Sequence, residues 1–369
     1  MSRRARPTAG AGRADREFLE VRAPVRADLA GGTLDLWPLY CLHPGATTVT
    51  VALRRGPRLR LFPDGAQPGS MVFRTPGTAP LQLGRSNTPR HLVAAVGFHY
   101  RPHGGLVVEV LEQPPLGSGL GGSSALAVAL ARGCLTLSGR RVGPARLVAE
   151  LRDLEAQVLA APTGVQDYLA ALHGGALAIH LDPGGAVTER LAVDLAWLQE
   201  RLLIVYSGIA HASGMVNWEV YRARVDGEPR VGAALDAIAA AARACRAALL
   251  ARDEVAVGQA IAAEWRARRT LAPAVNSPAI ETLLRAGCRA GARAAKACGA
   301  GGGGSVLFWL PPERREAVRD AALRAVAPGA QEVGGGISRT GVRAAWGEER
   351  ATRGTRLSAR RRTATAKTR

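Results

Sequence analysis

Lysine is almost missing from this chain: among 49 basic residues only Lys296 and Lys367 are lysines. No Gly-Lys-Ser/Thr can therefore stand in its glycine-rich stretches, which excludes a Walker A phosphate loop. Cysteine is also scarce. The five (Cys41, Cys134, Cys245, Cys288 and Cys298) include no C-x-x-C pair, so neither a disulfide framework nor a zinc site is indicated and a reducing, cytoplasmic setting is expected. No charge-free apolar run reaches the roughly eighteen residues of a membrane span. The N-terminus carries arginine without the apolar core of a secretion signal. Acidic residues are missing where positive charge is densest: residues 350–369 hold eight basic residues and no acid. Residues 1–19 and 349–369 read as basic disordered tails, and about half of the net charge of +19 lies in these segments, which argues against a patch for specific nucleic-acid binding.

Between the tails the 369-residue chain is long enough for two domains. "TTVTVALRRGPRLRLF" alternates Val49, Val51 and Leu53, then Leu59 and Leu61, around Gly56-Pro57, the pattern of two strands and a turn. "GLVVEVLE" (105–112) is a strand, 123–137 a helix, and from Pro144 the residues Leu147, Leu151, Leu154 and Val158 share one helical stripe. Glu200 to His211 reads as a buried strand, 231–271 as one long helical stretch, 278 onward as another helix. A strand after the glycine run at 299–304, a helix near 313–326 and a strand near 341–346 close the chain. Strands and helices mix without regular βα alternation, which predicts an α+β fold rather than a doubly wound one. The domains expected are 20–200 and 201–348.

The strand at 105–112 runs into "PPLGSGLGGSSALAVALARG", residues 114–133. A glycine-rich turn that opens a helix at Ser123-Ser124 sets unpaired backbone N–H groups and the positive helix end around an anion, a phosphate cradle. A plain loop with serine helix caps is the alternative. Gly117, Gly119 and Gly122 also satisfy G-x-G-x-x-G, yet no Asp or Glu occurs between Glu112 and Glu150 to bind a ribose. An NADP-binding reductase using Arg140 or Arg141 is the runner-up of another class.

"PLGSGLGGSSA" (115–125) resembles the second motif of the GHMP kinases, the superfamily of galactokinase, homoserine, mevalonate and phosphomevalonate kinases. "APVRADLAGGTLDLWPLY" (23–40) resembles the first motif of its sugar kinases, the heptose-7-phosphate kinases especially. "KACGAGGGGSVLFWL" (296–310) resembles the third. With "PTGVQDYLAALHGG" between, the three stand in family order and cover both halves of the chain. The resemblance implies a two-domain fold, an N-terminal ribosomal-protein-S5-domain-2-like unit followed by a ferredoxin-like α+β unit. It also implies ATP- and Mg²⁺-dependent phosphorylation of a sugar hydroxyl by a monomer or homodimer, with ATP and a small sugar or sugar phosphate as partners and no membrane. A mevalonate-like or amino-alcohol substrate is the alternative within it, and a non-catalytic sugar sensor joins the reductase as an alternative of another class.

Residue by residue, the resemblance implies that Gly117, Ser118, Gly119, Leu120, Gly121, Gly122, Ser123 and Ser124 hold the phosphates, with Ser123 and Glu155 as metal ligands. Gly122 stands where relatives usually carry a serine. Asp167 matches the aspartate that takes or orients the acceptor proton, and Arg26 the arginine beside it. Asp35, with Thr33, matches the sugar-binding carboxylate. Lys296, Gly301 and Gly302 are expected at the substrate, as are His211, Ser213 and Asn217. Helical spacing puts Glu155 at the border of the 147/151/154/158 stripe.

Overall fold

The computed structural model describes residues 16–349 except 64, 102, 104, 211, 212 and 327. The two basic tails lie almost wholly outside the described residues. Residues 16–19, counted with the first tail, instead begin a strand, because Phe18 and Leu19 are buried.

In chain order come β1 (Arg16–Arg22), β2 (Val25–Ala30), β3 (Ala46–Leu53), β4 (Arg58–Pro63), β5 (Met71–Arg74), β6 (Leu81–Leu83), α1 (Leu92–Tyr100) and β7 (Leu106–Glu112). Then follow α2 (Gly122–Leu137), α3 (Pro144–Leu159), α4 (Gln166–His173), β8 (Ala176–Asp182), β9 (Gly185–Arg190), α5 (Leu195–Glu200) and β10 (Leu202–Tyr206). The remainder holds α6 (Ser213–Val225), α7 (Pro229–Ala251), α8 (Glu254–Arg268), α9 (Pro278–Arg289), β11 (Ala294–Ala297), β12 (Ser305–Trp309), α10 (Arg315–Arg324), β13 (Gln331–Glu332) and β14 (Arg343–Glu349).

These strands form three sheets, ordered β14-β1-β4-β7-β5-β6, β2-β3-β8-β9 and β11-β12-β10-β13. All pairs are antiparallel except β5 with β7, so the architecture is the expected α+β and not a parallel doubly wound sheet. One reading changes, and two strand arrangements go beyond what the sequence indicates. β3 and β4 are two strands, but they belong to different sheets and form no hairpin. The helical stretch from 231 to 271 is two helices: Arg252 takes a left-handed φ of 55°, and the Asp253 carboxylate accepts from the amides of Val255 and Ala256, each at 3.0 Å, which restarts the chain as an antiparallel partner. β14 pairs with β1 over its whole length, returning the end of the second half to the first sheet.

Two helices pack on β2 and β3 of the second sheet, α4 and α7. Every residue of β2 and β3 is consequently buried, including Thr48 and Thr50, whose hydroxyls donate to the carbonyls of Gly31 (2.9 Å) and Ala27 (3.0 Å). α8 packs on both β2 and β11. One apolar cluster thus runs through both halves, and it fixes β2 against the third sheet where the two glycine runs meet.

Candidate active site

A cleft of about 740 Å³ lies between the loop after β7, the turn after β2, the start of α4 and the glycine run before β12. Its loop needs glycine at two positions in particular. A Cβ at Gly119 (φ 74°) would stand 2.6 Å from the Cys298 carbonyl oxygen, and one at Gly121 (φ 72°) 2.7 Å from the Asp167 carboxyl carbon. Gly121 is the N-cap of α2, and no side chain caps that helix. The serine-cap alternative is therefore not realised. The positive end of α2 is left to face the cleft wall formed by Gly121, Gly122 and Ser123.

Arg26, on β2, is 4% exposed. Its Nε donates to Asp167 Oδ1 at 2.6 Å and its Nη1 to the Gly119 carbonyl at 2.6 Å, while its backbone amide donates to the Leu120 carbonyl at 3.0 Å. Burial opposes its charge, but Asp167 and Asp28 hold the guanidinium pKa above the ordinary arginine value. Asp167 lies in the first turn of α4 and keeps a fifth of its side chain exposed in the cleft. It pairs with Arg26 rather than capping its helix.

Asp35 reaches the same helix from the turn after β2, brought there by a β-bridge between Leu36 and Gly164. Its Oδ2 accepts from the Gln166 amide (3.0 Å) and its Oδ1 from Gln166 Nε2 (3.2 Å). Burial first, then the charge of Asp167, pushes its pKa up to about 6. Thr33, at a left-handed φ of 74°, lines the cleft beside it.

Glu155 is buried in the stripe of α3 with Leu147, Val148 and Leu151, not at its border, and Val158 is half-buried instead. Its Oε1 accepts from Ser123 Oγ (2.7 Å) and its Oε2 from Ser124 Oγ (2.8 Å) and from the Tyr168 hydroxyl. Burial raises its pKa, and the three hydroxyls work the other way. Ser123 forms cleft wall; Ser124 and Glu155 lie behind it.

The glycine run before β12 packs on the loop after β7. A Cβ at Gly299 would meet the Gly119 carbonyl oxygen at 2.8 Å, and one at Gly304 would meet Ser118 backbone at 2.8 Å. Gly301 lines the cleft, whereas Gly302 donates its amide to the Val275 carbonyl at 2.6 Å. Lys296 does not reach the cleft. It is fully buried, with Nζ bonded to the Asp28 carboxylate, the Asp28 carbonyl (3.0 Å) and Glu264 Oε1 (3.2 Å). Arg268 joins the cluster through Glu264 (2.7 Å), Asp28 Oδ2 (3.1 Å) and the Gly299 carbonyl (2.6 Å), and Asp28 Oδ1 accepts the Gly299 amide at 3.1 Å. Both polar backbone groups of Gly299 are thereby held.

Of the other expected residues, Gly117, Ser118 and Asn217 line the cleft and Leu120 is core. Ser213 opens α6, and His211 lies outside the described residues. The sequence reading missed Asp28, Glu264, Arg268 and Gln166. Asp28 has a signal, since it shares a strand face with Arg26 at period two. So do Glu264 and Arg268, an i,i+4 pair on one helix.

The GHMP kinases N terminal domain matches residues 87–175, and the GHMP kinases C terminal domain residues 245–328. Over 205 residues the chain is 24% identical to D-glycero-alpha-D-manno-heptose 7-phosphate kinase of Campylobacter jejuni, a match covering 54% of this chain and 60% of that protein's length. Over 253 residues it is 28% identical to galactokinase of Mycobacterium tuberculosis, with 61% and 69% covered. Lactococcus lactis galactokinase, solved in complex with galactose, superposes with a TM-score of 0.71 over 90% of this chain and 95% of that one, at 16% identity, a likeness of fold. With both domains matched and the three glycine-bearing motifs folded around one cleft, the chain carries the N- and C-terminal domains of the GHMP kinases.

Proposed function

We propose that this chain is an ATP-dependent sugar kinase, which transfers the γ-phosphoryl group of ATP to a sugar hydroxyl, the anomeric one of a heptose phosphate or related hexose. The observation that carries the reading is the Arg26–Asp167 pair at 2.6 Å, set in one cleft with the glycine loop and with Asp35. The loop of residues 117–124, apart from the Ser118 amide, which donates to the Pro115 carbonyl, and the N-terminus of α2 would hold the phosphates. Thr33, Asp35 and Asn217 would hold the sugar. The acceptor proton passes to the Asp167 carboxylate as the hydroxyl oxygen bonds to the γ-phosphorus. The bond from that phosphorus to the β,γ-bridging oxygen breaks, and ADP leaves. Arg26, fixed on Asp167 and Gly119, offsets negative charge at the transferring group without having to reorient.

Ser123 and Glu155 are oxygen donors of the kind magnesium takes. Ser123 would hold it from the cleft wall, with Glu155 behind Ser123, and it would neutralise charge on the phosphates there. No group of three or more His, Cys, Asp or Glu gathers as a metal site among the described residues, so phosphate oxygens and water would complete its shell. The five free cysteines support a cytoplasmic setting.

The test is an ATP-consumption screen over hexoses, 6-deoxyhexoses, heptoses and their phosphates, with mevalonate, homoserine and NADPH alongside. Turnover confined to mevalonate or homoserine would overturn the sugar reading and leave the family intact.

A further inference from the structure

Gln166 stands between the two carboxylates of the cleft, next to Asp167 in sequence and bonded to Asp35 through both its amide groups. It is 5% exposed and belongs to the cleft wall. An ionised carboxylate only accepts, so it is the side-chain nitrogen of Gln166 that must face Asp35. The carbonyl branch of the planar amide then diverges from Asp35, and its oxygen Oε1 is buried without a hydrogen-bond partner among the described residues. Buried acceptors rarely stay unpaired in folded proteins. With the amide nitrogen committed and Asp35 ionised above a pKa of about 6, the wall made by these two side chains offers acceptors alone. A ligand that brings O–H or N–H donors satisfies it, whereas a carboxylate or phosphate oxygen placed there would be repelled.

We propose that Gln166 is a substrate-recognition residue, whose Oε1 accepts a hydrogen bond from a sugar hydroxyl neighbouring the one that is phosphorylated. The inference rests on the sugar-kinase reading. Asp35 and Gln166 together then read two donors on one sugar, and a phosphate already on the substrate lies away from this wall.

The experiment measures kcat/KM for D-galactose, L-fucose and D-glycero-D-manno-heptose 7-phosphate, and for the monodeoxy analogues of each sugar that the wild-type enzyme phosphorylates. Wild type is compared with Gln166→Met, and ATP affinity is measured by calorimetry. The expected result is a loss of about tenfold or more on the sugar, with ATP affinity within about twofold, and a loss that disappears for one deoxy analogue, because the hydroxyl that paired with Gln166 is gone. An undiminished Gln166→Met enzyme, or one that loses equally on every deoxy analogue, overturns the assignment while the sugar reading stands. Turnover of mevalonate or homoserine alone overturns the sugar reading first. Should Gln166→Met fail to fold, Gln166→Asn, one methylene shorter, is put through the same comparison with the same deoxy criterion.

Discussion

Asp35 and Asp167 share one cleft but differ in what they touch, and each difference has a measurable consequence. Asp167 faces Arg26 and the cleft, so Asp167→Asn is expected to lower kcat on the order of a hundredfold or more, while ATP affinity measured by calorimetry stays near wild type. Near-wild-type turnover in a folded variant would remove it from the chemistry. Asp35, buried beside a second carboxylate, has its pKa raised to about 6. Accepting from sugar hydroxyls requires its ionised form, so kcat/KM for the sugar should rise with pH through about 6, and Asp35→Asn should flatten that limb. For stability the sign is opposite. The folded state holds this proton more tightly than the unfolded chain, so the favourable contribution of neutral Asp35 is lost as pH climbs from the usual carboxylate range through about 6.

At the scale of elements, the site is a set of close backbone approaches. The start of α4 meets the turn after β2 only because residue 164 lacks a side chain, since a Cβ there would lie 2.0 Å from Asp35 Oδ2. Gly164→Ala should therefore displace Asp35 and raise the sugar KM with little change in ATP affinity, as kinetics and calorimetry can check. α2 and α3 are joined at the cleft by Ser123 and Glu155 (2.7 Å). If that pair holds magnesium, Ser123→Ala and Glu155→Gln should both raise the magnesium concentration for half-maximal rate. A metal dependence unmoved in both would dismiss the two assignments together. The loop after β7 and the helix it opens were legible in the sequence, because glycine and serine act there through local backbone geometry. That β3 and β4 part into different sheets was not, because alternation reports which face is buried and not which strand lies alongside.

The whole molecule is tied at a buried cluster in which Lys296 and Arg268 face Asp28 and Glu264, drawn from β2, α8 and β11. Burial would raise the Asp28 pKa, yet the charges of Lys296, Arg268 and Arg26 hold it below the ordinary range. Removing one cation strands a buried carboxylate, so Lys296→Met is expected to cost about 3 to 5 kcal/mol of stability in urea unfolding. A variant as stable as wild type would mean that the cluster does not hold the halves together. Because Asp28 and Arg268 also grip Gly299, activity should fall in the same variant before global unfolding begins.

What the sequence by itself determined was the character of short segments: a glycine loop entering a helix, strands and helices without βα alternation, and the GHMP-like motifs in which Asp167 and Arg26 stand. Each follows from neighbours along the chain. Only the tertiary structure decided that Lys296 is a structural cation rather than a wall of the cleft, that Glu155 is buried behind Ser123, and that Gln166 stands between the two aspartates. Those outcomes depend on residues 28, 35, 264, 268 and 296 arriving from distant segments, and a charge shows its partner only after packing has chosen it. β14 returning to β1 follows the same rule: backbone hydrogen bonds accept any extended partner, so the choice falls to the core that both strands cover.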